Sequence, residues 1–294
     1  MSRHAGRTPG TFGADHRPTH RRGCGRDGAR RPTRRTPFCG GDRVNDETGT
    51  REERRYDAWA LRHAEHGTTE LIPAATVLVL RDSADGLEVL MLRKNSKIAF
   101  GGMWVFPGGR IDEEDAIHGD DDQSDELATA ARAVVREAAE EAHIAVDPDA
   151  LVWFSHWVPP PITPRRFSTF FFATRAAPGP DGVVEIDDGE IVDHAWMTPA
   201  GAMDRRDAGE IELAPPTWVS LHLLSGWTTV ETALEALADM DPEFYETHIG
   251  RSEGSAVAMW SGDAGYETGD PSQDGPRHRL TMRDGRYAFE RTGC

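Results

Sequence analysis

Apolar residues along this chain fall into short dense runs divided by turn formers, and the spacing of those runs predicts most of its elements. Residues 74–81 and 86–93 are rich in β-branched and large apolar side chains and flank Asp82-Ser83-Ala84-Asp85, which predicts a β-hairpin. Residues 150–157 and 165–173 predict two further strands around the loop at Pro159-Pro160-Pro161, and consecutive aromatics in the second favour a central strand covered on both faces. Alternation over residues 190–196 predicts another strand. Helices fit residues 54–59, 199–205, 217–225 and 230–240, and Asp284-Gly285 within residues 280–289 signals a second hairpin. The chain has no internal repeat.

One stretch follows a different period. Residues 126–143 carry seven alanines and contain no proline or glycine, which predicts a helix. Leu127, Ala131, Val134, Val135, Ala138 and Ala142 make a core-facing stripe, and at about 100° per residue Glu137, Glu140 and Glu141 share the adjoining face. Carboxylates crowded at these spacings repel one another by about a few tenths of a kcal/mol per pair. A hard divalent cation relieves that cost, and Mg2+ or Mn2+ suits oxygen donors. A solvated acidic face paired with arginines is the plain alternative.

Upstream, Trp104-Val105-Phe106-Pro107-Gly108-Gly109-Arg110 ends on a turn whose glycines let a ligand approach the backbone without a Cβ in the way. Taken with Arg136-Glu137-Ala138-Ala139-Glu140-Glu141, it resembles the Nudix hydrolase signature, G-x5-E-x7-R-E-U-x-E-E-x-G-U with U aliphatic. The match has departures. Asp115 stands where the signature has Glu, and Arg136 follows it by 21 positions where the signature has 8. His143 replaces the signature's last glycine, so the helix exit is not expected to use the easy left-handed cap. Nine of the fifteen residues 112–126 between the two halves are acidic, which predicts a solvated loop, with an acid between 112 and 115 left as a candidate for the site.

Later segments extend the resemblance toward the interrupted-box branch related to peroxisomal CoA diphosphatases: His156-Trp157, Arg166-Phe167, Trp196-Met197-Thr198-Pro199, Gly209-Glu210 and Pro215-Pro216-Thr217. The resemblance implies an α/β/α sandwich with a mixed β-sheet, and metal-dependent hydrolysis of a diphosphate linkage in a nucleoside diphosphate joined to another moiety, CoA or acyl-CoA among the candidates. ADP-ribose, dinucleotides and nucleoside triphosphates are alternative substrates, and a non-catalytic nucleotide-binding regulator is the alternative of another class. By the same resemblance Glu137, Glu140, Glu141 and the Gly109 carbonyl hold Mg2+ or Mn2+, and Arg136 serves the catalytic group by holding a glutamate. Arg93, Gly108 and Arg166 are expected at the substrate, Arg93 from a basic run with Lys94 and Lys97, and Arg166 beside aromatics, Trp153, Phe154 and Trp157, that are candidates to stack on adenine.

Charge changes the picture at one end. Residues 1–50 hold eleven Arg against five Asp or Glu, so of a net charge of −17 the remaining residues carry −23. This Gly-, Pro- and Arg-rich segment, with residues 51 and 52, predicts a disordered basic tail over residues 1–52, followed by a Nudix domain over 53–245 and a hairpin-containing extension over 246–294 packed on it. A basic arm invites nucleic acid as a partner, but a solvated tail is the preferred reading, and the expected partner is a small nucleotide-type molecule. A homodimer stays open as an expectation. Cys24, Cys39 and Cys294 form no disulfide or zinc pattern, and no apolar run reaches the length of a membrane span, so the protein is expected in the cytoplasm.

Overall fold

The computed structural model describes residues 51–97, 100–117, 122–178, 183–186 and 189–293. The expected basic tail lies outside the described residues, except that its last two positions open helix α1 (Arg51–His66). The first hairpin, β1 (Leu71–Ser83) and β2 (Gly86–Lys94), pairs until Ser83 faces Gly86, leaving two residues to turn. Around it stand β3 (Trp104–Val105), β4 (Gly108–Arg110), β5 (Val152–Val158), β6 (Arg166–Arg175), β7 (Ile191–Met197) and β8 (Glu243–Glu246). The strands run in the order β3-β2-β1-β6-β5-β8, with β4 added to β1 and β7 to β2. β1 with β6 and β5 with β8 are parallel, and the other pairs are antiparallel, so the sheet is mixed.

Both faces of this sheet are covered, which is why its central strands read as nearly continuous apolar runs. Along β1, Ala75, Val77 and Val79 join the core beneath helix α2 (Asp122–Ala142), whose Ala130, Ala133, Val134, Ala138 and Ala142 are fully buried. Leu78 and Leu80 join the core on the opposite face, under α4 (Pro215–Leu224) and α5 (Val230–Asp239), with α3 (Pro199–Asp207) beside them. The α/β/α layering and mixed sheet expected from the sequence are thus present. Each of these fully buried Leu or Val side chains contributes about 1.5–3 kcal/mol relative to exposure.

Helix α2 begins at Asp122, four residues before the expected start, so the end of the acidic insertion is helical. At its other end His143 takes the left-handed conformation (φ 52°) that the signature's glycine would adopt freely. For a residue with a Cβ this costs about 1–2 kcal/mol. Offsetting bonds surround it: His143 N–H donates to Ala139 O at 3.1 Å, its ring Nδ1 lies 2.7 Å from Glu185 O, and Glu185 N–H donates to Ala142 O at 3.1 Å. The left-handed cap therefore forms without glycine.

A second, four-stranded antiparallel sheet closes the chain, in the order β12 (Arg286–Thr292), β11 (Arg277–Arg283), β10 (Ser255–Met259), β9 (His248–Ser252). Trp260, Leu280, Met282 and Tyr287 join the same core as α4 and α5, and Trp157 of β5 packs edge-on against Trp260 at 5.5 Å. The loop between β10 and β11 is pinned by Asp263. Its side chain is fully buried and accepts from Arg279 Nε at 2.7 Å, Arg279 Nη2 at 2.6 Å, His278 N–H at 2.9 Å and Gly265 N–H at 2.8 Å. Burial alone would raise the carboxyl's pKa, but the guanidinium and the two amides hold it below the usual value.

Removing one member of a buried, hydrogen-bonded pair typically costs about 3–5 kcal/mol. Asp263→Ala should therefore lower the unfolding free energy by that amount in urea titrations at pH 7. Because the folded-state pKa is depressed, this contribution is present above the unfolded carboxyl's pKa and is lost as pH falls through the folded one. The gap between wild type and variant should accordingly close under acid conditions.

Candidate active site

The site forms where β4 passes under the last two turns of α2. β4 pairs with β1 so that Thr76 faces Gly108 and Ala75 faces Gly109. Flanking bonds, Val77 N–H to Pro107 O and Ile111 N–H to Pro73 O, fix which pairs exchange ladder hydrogen bonds. In that alternation Gly109 directs its carbonyl to β1, while Gly108 and Arg110 direct their polar groups outward, toward the helix. The Gly108 N–H accordingly donates to Glu141 Oε2 at 2.9 Å, and Arg110 O accepts from Arg136 Nη2 at 3.1 Å. The expectation for Gly109 is corrected here: the outward carbonyl is that of Gly108. The lack of a side chain at Gly109 matters in another way, because a Cβ there would overlap the Glu137 carboxylate, and one at Gly108 would overlap the Ala75 carbonyl.

Arg136 organises the acids. Its Nε and Nη2 take both oxygens of Asp115, at 3.0 and 2.8 Å, and its Nη1 donates to Glu137 Oε1 and Glu140 Oε2, each at 3.0 Å. Asp115, only 2% exposed, sits in a short 3-10 turn (Glu113–Asp115) and also accepts from the Asp112 N–H at 2.9 Å. The Arg136 guanidinium holds the Asp115 carboxyl below its usual pKa, and Asp115 raises that of Arg136. The 21-residue separation in sequence is thus bridged in space, and Asp115 holds the arginine.

Glu141 is turned inward. It is 5% exposed, with Oε2 on the Gly108 amide and Oε1 3.1 Å from Lys94 Nζ, which also donates to Glu190 Oε1 at 2.7 Å. Burial pushes the Glu141 carboxyl up to about 7, against the opposing pull of Lys94 and the Gly108 amide. Burial likewise raises Glu137, opposed by Arg136. Lys94 loses solvation too, yet Glu141 and Glu190 together raise its pKa above the ordinary value. Among the described residues no three acid, histidine or cysteine side chains converge closely enough to enclose a metal ion as they stand, and Arg136 and Lys94 pair with the acids. The donors still suit one: hard oxygens from Glu137 and Glu140, both within 3.0 Å of a single guanidinium nitrogen, beside an outward carbonyl.

Residues 70–217, half of the chain, match the NUDIX domain family model. The chain belongs to the Nudix family. With that membership goes the pyrophosphohydrolase class, and Nudix hydrolases generally use divalent metals such as Mg2+ or Mn2+. A Nudix hydrolase from Alicyclobacillus acidocaldarius superimposes with a TM-score of 0.50 at 23% identity, covering 59% of this chain and 99% of that one, which supports the fold. A MutT Nudix hydrolase from Burkholderia pseudomallei (TM-score 0.38, 15% identity, 52% of this chain and 98% of that chain) is also similar. So is the Nudix domain of Shewanella oneidensis NrtR complexed with ADP-ribose (0.38, 16%, 55% and 94%). No curated protein matches.

Two expected substrate contacts lie elsewhere. Arg166 donates to the carbonyls of Pro159 at 3.2 and 3.3 Å and Thr69 at 3.3 Å, so it ties loops together at the foot of β6. Arg93 pairs with Asp193 at 3.6 Å, and strand alternation puts it on the sheet face opposite Glu141. Phe154 and Trp157 are core, Trp157 stacked on Tyr245 at 3.8 Å, and are closed to a base. What sequence reasoning missed was Lys94. It continues the α2-facing row of Leu90 and Leu92, and extending the strand by one residue would have exposed that parity.

Gly109→Ala should displace the flexible Glu137 carboxylate and leave the backbone in place. The expected result is a kcat lowered by about 10²-fold, the scale of an angstrom-level misplacement, with a melting temperature close to wild type in paired assays.

Proposed function

We propose that the chain hydrolyses a diphosphate linkage in a nucleoside diphosphate joined to another moiety, with Mg2+ or Mn2+ held by Glu137, Glu140 and the outward Gly108 carbonyl. The observation that carries this reading is the sharing of one Arg136 nitrogen by Glu137 and Glu140, with the Glu137 carboxylate directly over Gly109. Bound there, the ion would polarise phosphoryl oxygens and lower the pKa of an attacking water. It would also let an anionic diphosphate approach a region whose own charge is strongly negative.

The protein's own groups divide the remaining work. Arg136, fixed by Asp115, holds Glu137 and Glu140 in place, and Glu141 fixes the glycine turn through the Gly108 amide. CoA as the particular substrate rests on the later motif likeness alone, since Arg166, Phe154 and Trp157 are engaged within the fold.

Glu140→Gln tests the role directly, because that side chain is 60% exposed and its loss should not disturb packing. Turnover should fall by about 10²–10³-fold, the scale of removing one charge-stabilising group. Activity near wild type at saturating Mn2+ would sink the assignment. Metal at a hundred times its Kd should also raise wild-type stability by about 2.7 kcal/mol, read as a melting shift that the variant loses in part. A panel of ADP-ribose, dinucleoside polyphosphates, nucleoside triphosphates and CoA, assayed with Mg2+ and Mn2+, identifies the substrate.

A further inference from the structure

The ladder that sets Gly109 beneath Glu137 continues across the sheet. Gly109 faces Ala75 of β1, Ala75 faces Phe170 of β6, Phe170 faces His156 of β5, and His156 faces Phe244 of β8. Residues opposed in a ladder point to one face, and a Cβ on Gly109 would meet the Glu137 carboxylate, so this row lies on the α2 side. Phe170 stands two strand spacings from Gly109, about 10 Å, which is the reach of a nucleoside from its own phosphate. Beyond it the row is made of rings. His156 meets Phe170 edge-on at 4.2 Å and lies flat against Phe244 at 4.8 Å, and Phe244 is 54% exposed. An exposed phenylalanine alone needs no explanation. This one ends a row that starts beneath Glu137, and it comes from β8, outside the residues 70–217 that match the family model.

His156 gives the row a polar group. Its ring is 7% exposed, and burial pushes its pKa down to about 4, so it is neutral at pH 7. Nε2 lies 2.7 Å from Ser168 Oγ, while Nδ1 is buried and has no hydrogen-bond partner among the described residues. An orphaned buried N–H is rarer than an orphaned acceptor, which assigns the proton to Nε2 and makes that nitrogen the donor to Ser168. The Ser168 hydroxyl then keeps its own proton for another acceptor. Ser168 is half-buried and stands two residues before Phe170, on the same face of β6. We propose that Ser168, oriented by His156, donates to a ring nitrogen or carbonyl of the substrate's nucleobase, which lies along the rings of Phe170 and Phe244. The proposal rests on the nucleoside diphosphate reading above and names the residues that select the base. Ser168, Phe170 and Phe244 touch it, and His156 is a positioning residue.

Calorimetry on the full chain at pH 7 with Mn2+ present separates base from phosphate without needing turnover. The probes are adenosine, guanosine and uridine 5′-monophosphates, beside ribose 5-phosphate. At least one nucleotide should bind about tenfold tighter than ribose 5-phosphate, the scale of one base stacked on an aromatic ring. Ser168→Ala should weaken that nucleotide about five- to tenfold, the scale of one hydrogen bond, and leave ribose 5-phosphate unchanged. For a diphosphate carrying the same base it should raise KM more than it lowers kcat. Ser168→Thr keeps the hydroxyl and should restore the affinity. His156→Phe keeps the ring contacts and should weaken the nucleotide but not ribose 5-phosphate. Should that variant fail to fold, Phe244→Ala, at an exposed position, decides by the same comparison. A wild type that binds no nucleotide tighter than ribose 5-phosphate, or a Ser168→Ala variant that loses nothing, overturns the proposal even where diphosphates are hydrolysed. Nucleotide binding that depends on Ser168, with no diphosphate turned over, would defeat the hydrolysis reading and leave the base site standing.

Discussion

The bidentate pairing of Arg136 with Asp115 is the interaction on which the rest of the site depends. A helix carrying Glu137, Glu140 and Glu141 within two turns concentrates like charge, and burial makes the charged forms of Glu137 and Glu141 harder to keep. A guanidinium can serve three acids at once only if its plane is fixed, and Asp115 fixes it from a separate element. Lys94 does the corresponding work one turn on, for Glu141. The two cations divide five acids between them, and the outward polar groups of β4 complete the set.

This arrangement also shows how an interrupted signature can remain one site. The insertion leaves β4 and re-enters as the start of α2, and its near end turns back in a short 3-10 turn that delivers Asp115. Loop length adds little to the entropy of closing such a segment, so a longer excursion between the same anchors is tolerated. The mixed sheet supplies those anchors, since β4 is held by β1 and β1 is the strand against which α2 packs.

Much of this was legible in the sequence, for identifiable reasons. The hairpin of β1 and β2 and the helices after β7 announced themselves through apolar density and turn residues. The hairpin of β11 and β12 did so through Asp284-Gly285, whose positive φ values of 50° and 74° are what that dipeptide favours. The hairpin of β9 and β10 turns at Glu253-Gly254 with nearly the same geometry, but glutamate is not a residue that signals it. Asp115 could be placed only once the chain between the box halves was closed in space. Lys94 was hidden by being read with Arg93 as a basic loop, when it ends a strand. In sequence, Arg166 beside its neighbouring aromatics reads the same whether the guanidinium meets a ligand or, as it does with Pro159 and Thr69, backbone carbonyls.

We propose that Asp115 acts on catalysis through Arg136, and a double-mutant cycle on kcat measures that coupling. Asp115→Asn, Arg136→Ala and the double variant would be compared with wild type under saturating substrate and Mn2+, with folding checked by circular dichroism. The double variant should lose little more activity than Arg136→Ala alone, because the aspartate has nothing left to hold. Losses that simply multiply would show that the two residues contribute independently and would contradict it.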